Sequence, residues 1–103
     1  MIQKRTKVSE FSTSELIQMA RQAIKSNTTD EINFKRIFGV KFNFSHVCNS
    51  LHKRKFLGRR IMTSEEVKKA KECKCNKYLS EMFIEIKERY EDWLLEAHDN
   101  GKT

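Results

Sequence analysis

Apolar residues recur at helical spacing along most of the 103-residue chain. Four segments carry an apolar stripe with the period of a helix, over about residues 13–25, 29–38, 43–55 and 64–98. In the longest segment the apolar positions step 4-3-4-3-4, through Leu79, Phe83, Ile86, Tyr90, Trp93 and Ala97. This spacing places them on one face of a helix. Proline is absent and glycine occurs only three times, so the composition favours long helices.

Capping chemistry predicts where these helices begin. In a capping box, two side chains three residues apart satisfy backbone N–H groups of the first helical turn. The spacing occurs at Ser12 with Glu15, Thr28 with Glu31, and Thr63 with Glu66. Asn43 is suited to cap the third helix, and Gly39 is suited to end the second in a left-handed conformation.

These elements predict an all-α fold, a small helical domain of about four helices with a long helix at the C-terminal end. We expect a single domain over residues 1–103, since neither a linker nor a repeat divides the sequence. Within it, residues 11–61 form a basic helical module and residues 62–98 a long amphipathic helix. Residues 1–10 and 99–103 are expected to be flexible ends.

The positive charge is concentrated in the first part of the chain. The formal net charge is +7, and residues 1–61 hold thirteen Lys/Arg against four Asp/Glu, a balance of +9. Residues 33–64 contain no acidic residue and eight basic ones, namely Lys35, Arg36, Lys41, Lys53, Arg54, Lys55, Arg59 and Arg60. An unbalanced positive surface on a folded module indicates a polyanionic partner, for which nucleic acid is the first candidate.

The pattern over residues 29–61 is a helix ended by Gly39, an aliphatic Val40, a short turn, and an amphipathic helix after Asn43. It resembles the helix-turn-helix family of DNA-binding modules. Two features differ from the family: Lys35 stands where a small alanine is usual, and the turn is about two residues longer. The resemblance implies a small DNA-binding regulatory protein whose partner is duplex DNA.

The resemblance further implies that the third helix enters the major groove. The base-reading residues are then those on its polar face, Ser45, His46, Asn49, Ser50 and Lys53. Asn49 suits adenine and Lys53 suits guanine. Phosphate contacts are expected from Lys35, Arg36, Lys41, Arg54, Lys55, Arg59 and Arg60. Residues 55–61 are expected to form a small wing or turn that lays Arg59 and Arg60 along the DNA backbone.

The cysteines and histidines do not form a convincing metal site. Cys48 and His52 are four residues apart on one predicted helix, but Cys73 and Cys75 lie about 200° apart if their helix is continuous. We therefore expect no metal and no other cofactor. Three cysteines without a disulfide-framework spacing favour reduced thiols. Since a signal sequence and a transmembrane run are also absent, a cytoplasmic location is expected.

Three other interpretations remain open. The C-terminal stripe could form a homodimer or bind a protein partner, which would make the chain a small helical interaction factor. The basic stretch could instead be an ordinary solvated surface, and charge alone does not distinguish DNA from RNA. Since no phosphate-binding loop, nucleophile motif or paired metal-ligand motif is present, the chain is not expected to be an enzyme.

Overall fold

The computed structural model of the chain describes residues 7–26, 31–73 and 75–101. In these ranges the chain forms five α-helices, one antiparallel hairpin and a 3-10 turn at Val8–Glu10. The elements are α1 (Thr13–Lys25), α2 (Glu31–Phe38), α3 (Phe44–Lys53), β1 (Lys55–Phe56), β2 (Arg59–Arg60), α4 (Ser64–Glu72) and α5 (Asn76–Gly101). The predicted all-α fold with a long C-terminal helix is confirmed.

Two of the predicted capping boxes start helices as expected. At α1, the Ser12 hydroxyl accepts from the backbone N–H of Glu15 at 3.1 Å, and the Glu15 carboxylate accepts from the backbone N–H of Ser12 at 2.8 Å. Thr63 and Glu66 make the same pair of bonds at the start of α4, at 3.1 and 3.0 Å. The third predicted box begins at Thr28, which lies outside the described residues.

The core forms where the apolar stripe of α5 meets α1 and α3. Leu79, Phe83 and Ile86 are buried, and the ring of Phe44 on α3 lies 5.6 Å from that of Phe83. The helix α1 runs antiparallel along α5, since its C-terminal end lies beside Ile84 and its N-terminal end beside Tyr90 and Glu91. The inner face of α1 is the apolar set Leu16, Ile17, Met19, Ala20, Ala23 and Ile24.

A cluster of phenylalanines holds α2 and the turn that follows it. Phe34 is fully buried, and its ring lies 4.6 Å from Phe38 and 5.9 Å from Phe42. Phe11, just before α1, meets the Phe42 ring edge-on at 5.6 Å. Gly39 ends α2 with φ +67, the left-handed conformation expected of it. These contacts fix the direction in which the chain enters α3.

The prediction of one continuous helix over residues 64–98 is wrong, because α4 ends at Glu72 and α5 begins at Asn76. The apolar residues of α4 explain the break. In a continuous helix, Val67 and Ala70 would lie about 120° and 180° around the axis from Leu79, and would therefore face solvent. Both are buried, so the chain turns between the two helices to bring both stripes to one core.

Cys73 supplies a local reason for the break to occur where it does. Its backbone is extended, and its sulfur accepts a hydrogen bond from the backbone N–H of Cys75 at 3.3 Å. The Cys75 carbonyl in turn accepts the first bond of α5, from the N–H of Leu79 at 3.1 Å. The thiol thus takes the role that a Ser or Asp side chain often has in a turn, competing with the helical hydrogen bond.

An ion pair joins the beginning of α4 to α5. The guanidinium of Arg89 donates to both carboxylate oxygens of Glu66, each at 2.9 Å, and also to the carbonyl of Ile61 at 3.2 Å. Burial raises the pKa of Glu66, but hydrogen bonds from Arg89 and Thr63 outweigh it, and the pKa is lowered overall. Bidentate geometry and partial burial make this pair stronger than an ordinary surface ion pair.

We predict that Glu66→Gln lowers the free energy of unfolding by about 1–3 kcal/mol at neutral pH, since charge-assisted hydrogen bonds are lost. Because the folded-state pKa of Glu66 is lowered, its contribution is complete above the ordinary carboxyl pKa of about 4.3 and disappears as the pH falls through the lowered value. Urea denaturation of both proteins at pH 7 and at acidic pH measures the difference.

The matched control for this prediction is Glu65→Gln. The Glu65 carboxylate pairs with exposed Lys69, at 3.3 Å, and since both side chains are mostly exposed, the pair should contribute little to stability. Equal losses for the two variants, or a Glu66→Gln effect that persists unchanged at acidic pH, would contradict the assignment.

Candidate nucleic-acid interface

A tight hairpin follows α3, over the residues for which the sequence predicted a small wing or turn. The third helix ends at Lys53, two residues earlier than predicted, because Arg54 is extended and leads into β1. The turn residues Leu57 and Gly58 both have positive φ, at +55 and +75, as the favoured two-residue hairpin turn requires. Lys55 pairs with Arg60 in this hairpin, and Phe56 with Arg59.

One face of the hairpin packs on α5. The Phe56 ring meets Tyr90 edge-on at 5.5 Å, and the Arg59 guanidinium lies 5.5 Å from the centre of the Trp93 ring. Arg59 also approaches the Glu96 carboxylate at 3.5 Å. Cross-strand partners share a face of the sheet, so Phe56 and Arg59 both belong to this inner side. Arg59 therefore anchors the wing to the body of the protein.

The opposite face of the hairpin points outward and is basic. It carries Lys55 and Arg60, both exposed, and Lys53 is exposed nearby at the end of α3. Arg60 donates to the carbonyl of His52 at 2.9 Å, which holds β2 against the end of α3. We call Lys53, Lys55 and Arg60 the outer basic cluster. The sequence placed Arg59 and Arg60 together, whereas the pleat of the strand separates them to opposite faces.

Arg54 is engaged within the chain. Its guanidinium donates to the Thr13 hydroxyl at 3.3 Å and to the Val8 carbonyl at 3.2 Å. Partial burial lowers the pKa of Arg54. These two bonds fasten the 3-10 turn beside the C-terminal end of α3, so this predicted phosphate contact has a structural role in the folded chain.

The 3-10 turn and the polar face of α3 enclose a shallow groove of about 690 Å³. We call it the α3 groove; its lining is Val8, Ser9, Phe11, His46, Asn49, Ser50, Lys53 and Arg54. Four of the five predicted base-reading residues thus line one concave surface. Ser45, the fifth, is half-buried and does not line the groove. Among the lining residues in the described chain there is no carboxylate.

Hydrogen bonds within the chain orient two of the side chains in the α3 groove. The Asn43 side chain accepts from the backbone N–H of His46 through Oδ1, and the His46 ring accepts from the backbone N–H of Asn43 through Nδ1, both at 3.1 Å. This confirms the predicted cap at Asn43. Asn49 accepts a bond from the Lys71 ammonium of α4 at 2.6 Å. Sequence reasoning missed Lys71, because a continuous fourth helix gave no reason to place it beside α3.

A second group of basic residues lies toward the N-terminal end of α3. Lys35 and Arg36 occupy the last turn of α2, and Lys41 lies in the turn that leads into α3. All three are exposed. Since α3 has ten residues and a helix rises 1.5 Å per residue, about 15 Å separate the two ends of α3. Lys41 therefore places a basic side chain near the N-terminal end of α3, and Lys53 places one at its C-terminal end.

The side chains of His52 and Cys48 both make contacts within the folded chain. His52 turns away from the α3 groove, with Nδ1 3.0 Å from the Met62 carbonyl and Nε2 3.5 Å from the Ser64 hydroxyl. Cys48 is buried, and burial raises the pKa of its thiol to about 12. The helix break removes the geometric argument that separated Cys73 from Cys75. Even so, no group of three His, Cys, Asp or Glu side chains in the described residues is placed to hold a metal ion.

The predicted partner surface on α5 is largely used inside the chain. Leu79, Phe83 and Ile86 are buried in the core, and Tyr90 and Trp93 pack against the hairpin. Ala97, the last residue of the stripe, is half-buried. Near the C-terminal end of α5, the large apolar side chains of Leu94 and Leu95 are exposed, at 40% and 63%. In the described part of the chain, no helix is long and apolar enough to cross a membrane.

Comparisons of the chain with protein-family models, curated proteins and solved structures found no match. The function is therefore inferred from the chemistry of the interface itself: a polar groove on α3, exposed basic residues at both of its ends, and a basic hairpin anchored on α5.

We predict that Leu57→Asn stabilises the protein by about 0.5–1 kcal/mol. A leucine in the left-handed conformation is strained, whereas asparagine tolerates it, and the Leu57 side chain is 47% exposed. Urea denaturation measures the change. Leu95→Asn is the control, because Leu95 is similarly accessible but lies in α5, where asparagine is unfavourable. Destabilisation of similar size in both variants would contradict strain at Leu57.

Proposed function

We propose that this protein binds duplex DNA as a small non-enzymatic regulatory protein, with α3 in the major groove. The observation that carries the proposal is the fold of the acid-free stretch over residues 33–64. That stretch forms most of α2, all of α3 and the hairpin, so a helix with a polar outer face is flanked by exposed cations.

The dimensions of α3 suit this role. The major groove of DNA is about 12 Å wide and admits an α-helix, with a phosphate backbone on each side. The length of α3, about 15 Å, is enough to cross that width. Lys55 and Arg60 of the outer basic cluster would then meet one backbone, while Lys35, Arg36 and Lys41 would meet the other. This distribution also supports the likeness to helix-turn-helix modules with a wing.

The charges elsewhere on the molecule favour one binding face. Glu96 of α5 lies on the inner side of the hairpin, where it approaches Arg59. The outer face of the hairpin carries Lys55 and Arg60. An anion therefore meets positive charge on the outer face of the hairpin and mixed charge on its α5 side. Attraction from one side steers association and orients the bound partner.

The test is a fluorescence-anisotropy titration of a random-sequence 25-base-pair duplex at several salt concentrations. With about five phosphate contacts, we expect a slope of log affinity against log salt near −4 to −5. Lys55→Gln/Arg60→Gln removes two of these contacts, so the slope should become less steep by about 2.

The matched control is Lys25→Gln/Lys77→Gln, which removes the same charge far from the hairpin. Lys25 lies beside Ile84, and Lys77 is in the first turn of α5, whereas the hairpin contacts Tyr90 and Trp93. We expect this variant to keep most of the wild-type slope. Equal effects of the two double variants would contradict a defined interface, and the absence of binding at low salt would refute DNA binding.

A second candidate function is binding to another protein or to a second copy of this chain through the end of α5. The exposure of Leu94 and Leu95 favours it, since neighbouring apolar side chains on a surface often mark an interface. For this candidate, Leu94→Ser/Leu95→Ser should abolish self-association in sedimentation equilibrium. A wild-type mass that remains monomeric up to high micromolar concentration would contradict the homodimer. Trp93→Ala is less informative, because Trp93 also holds Arg59.

A further inference from the structure

Hydrogen bonds within the chain determine which groups in the α3 groove are left to donate to a ligand. An ammonium group can only donate, so the atom of Asn49 that lies 2.6 Å from Lys71 must be its amide oxygen. The Asn49 NH₂ group is then the part of the amide left to meet a ligand, and it is a donor. Lys71 thereby acts as a positioning residue for Asn49.

A hydrogen bond within the chain also fixes the polarity of His46, at the start of α3. Its Nδ1 accepts a hydrogen bond from the backbone N–H of Asn43, and a nitrogen that accepts carries no proton. The proton of the neutral ring is therefore on Nε2. Since His46 is exposed and lines the α3 groove, it presents an N–H donor there. The exposed ammonium of Lys53 adds a third donor farther along the helix.

We propose that α3 selects guanine, because His46, Asn49 and Lys53 present donors to the groove. Guanine shows two acceptors, N7 and O6, to the major groove, whereas adenine shows the acceptor N7 and the donor N6–H₂. Pairing with adenine requires both the oxygen and the NH₂ group of Asn49; the bond from Lys71 turns the oxygen toward α4 and occupies one of its two lone pairs, which disfavours that pairing. The adenine contact that the sequence suggested for Asn49 is therefore replaced by a guanine contact.

This inference rests on the proposed DNA binding and adds the base preference of the same site. It also assigns a role to a residue outside the helix-turn-helix-like region, since Lys71 belongs to α4. Without Lys71, the Asn49 amide could rotate and offer both its oxygen and its NH₂ group. The preference at the base that Asn49 meets should then move from guanine toward adenine.

The experiment selects bound sequences from a library of duplexes with a random central segment of 12 base pairs. Wild-type protein is compared with Lys71→Met, Asn49→Ala and Lys68→Met. We expect the wild type to enrich guanine, and Asn49→Ala to lose the preference at one position. At that position, Lys71→Met should change the guanine-to-adenine ratio by about fivefold or more in favour of adenine, the lower limit for a bidentate contact.

Lys68→Met is the matched control, since Lys68 is an exposed lysine on the same helix and makes no bond to Asn49. It should keep the wild-type base preference. A second measurement replaces guanine by 7-deazaguanine at the position that Asn49 reads, which removes the N7 acceptor and should weaken wild-type binding.

The outcomes separate this inference from the proposed function. If the wild type binds duplexes but enriches no guanine, the base preference is overturned and DNA binding stands. If Lys71→Met keeps the wild-type preference, the positioning role of Lys71 is overturned. If the wild type binds no duplex in the library, both the inference and the proposed function fail.

Discussion

The burial of one apolar stripe of α5 is the constraint on which the rest of the structure depends. Leu79, Phe83 and Ile86 are covered by α1 and α3. The hairpin packs on α5 through Tyr90. Arg89, on the side of α5, holds the beginning of α4. Because apolar burial is the dominant favourable term in folding, the long helix serves as the surface on which the shorter elements are assembled.

This arrangement links the core to the interface. The inner face of α3 packs on α1 and α4 and reaches α5 through Phe44, so its outer face is left for the α3 groove. The hairpin divides its residues in the same way, with Arg59 directed to α5 and Arg60 directed outward. Cations that look equivalent in the sequence therefore have different tasks. Arg54 and Arg59 hold elements together, while the outer basic cluster remains exposed for an anionic partner.

Local chemistry made much of the fold predictable, and long-range packing accounts for what was missed. The caps at Ser12, Asn43 and Thr63 could be predicted because each depends only on a partner residue three positions along the chain. The break after α4 was missed, although the phase difference between Ala70 and Leu79 was visible in the sequence. Lys71 could not be assigned to the α3 groove, because its contact with α3 depends on that break.

The most direct test of the account is a titration of ¹⁵N-labelled protein with a short DNA duplex, followed by ¹H–¹⁵N correlation spectra. The account predicts that the largest shifts fall on the polar face of α3 and on the hairpin, with smaller ones near Lys41. It also predicts little change over residues 91–98 at the end of α5. Shifts concentrated at Leu94 and Leu95, or no shifts at low salt, would contradict the assignment of α3 and the hairpin as the DNA-binding surface.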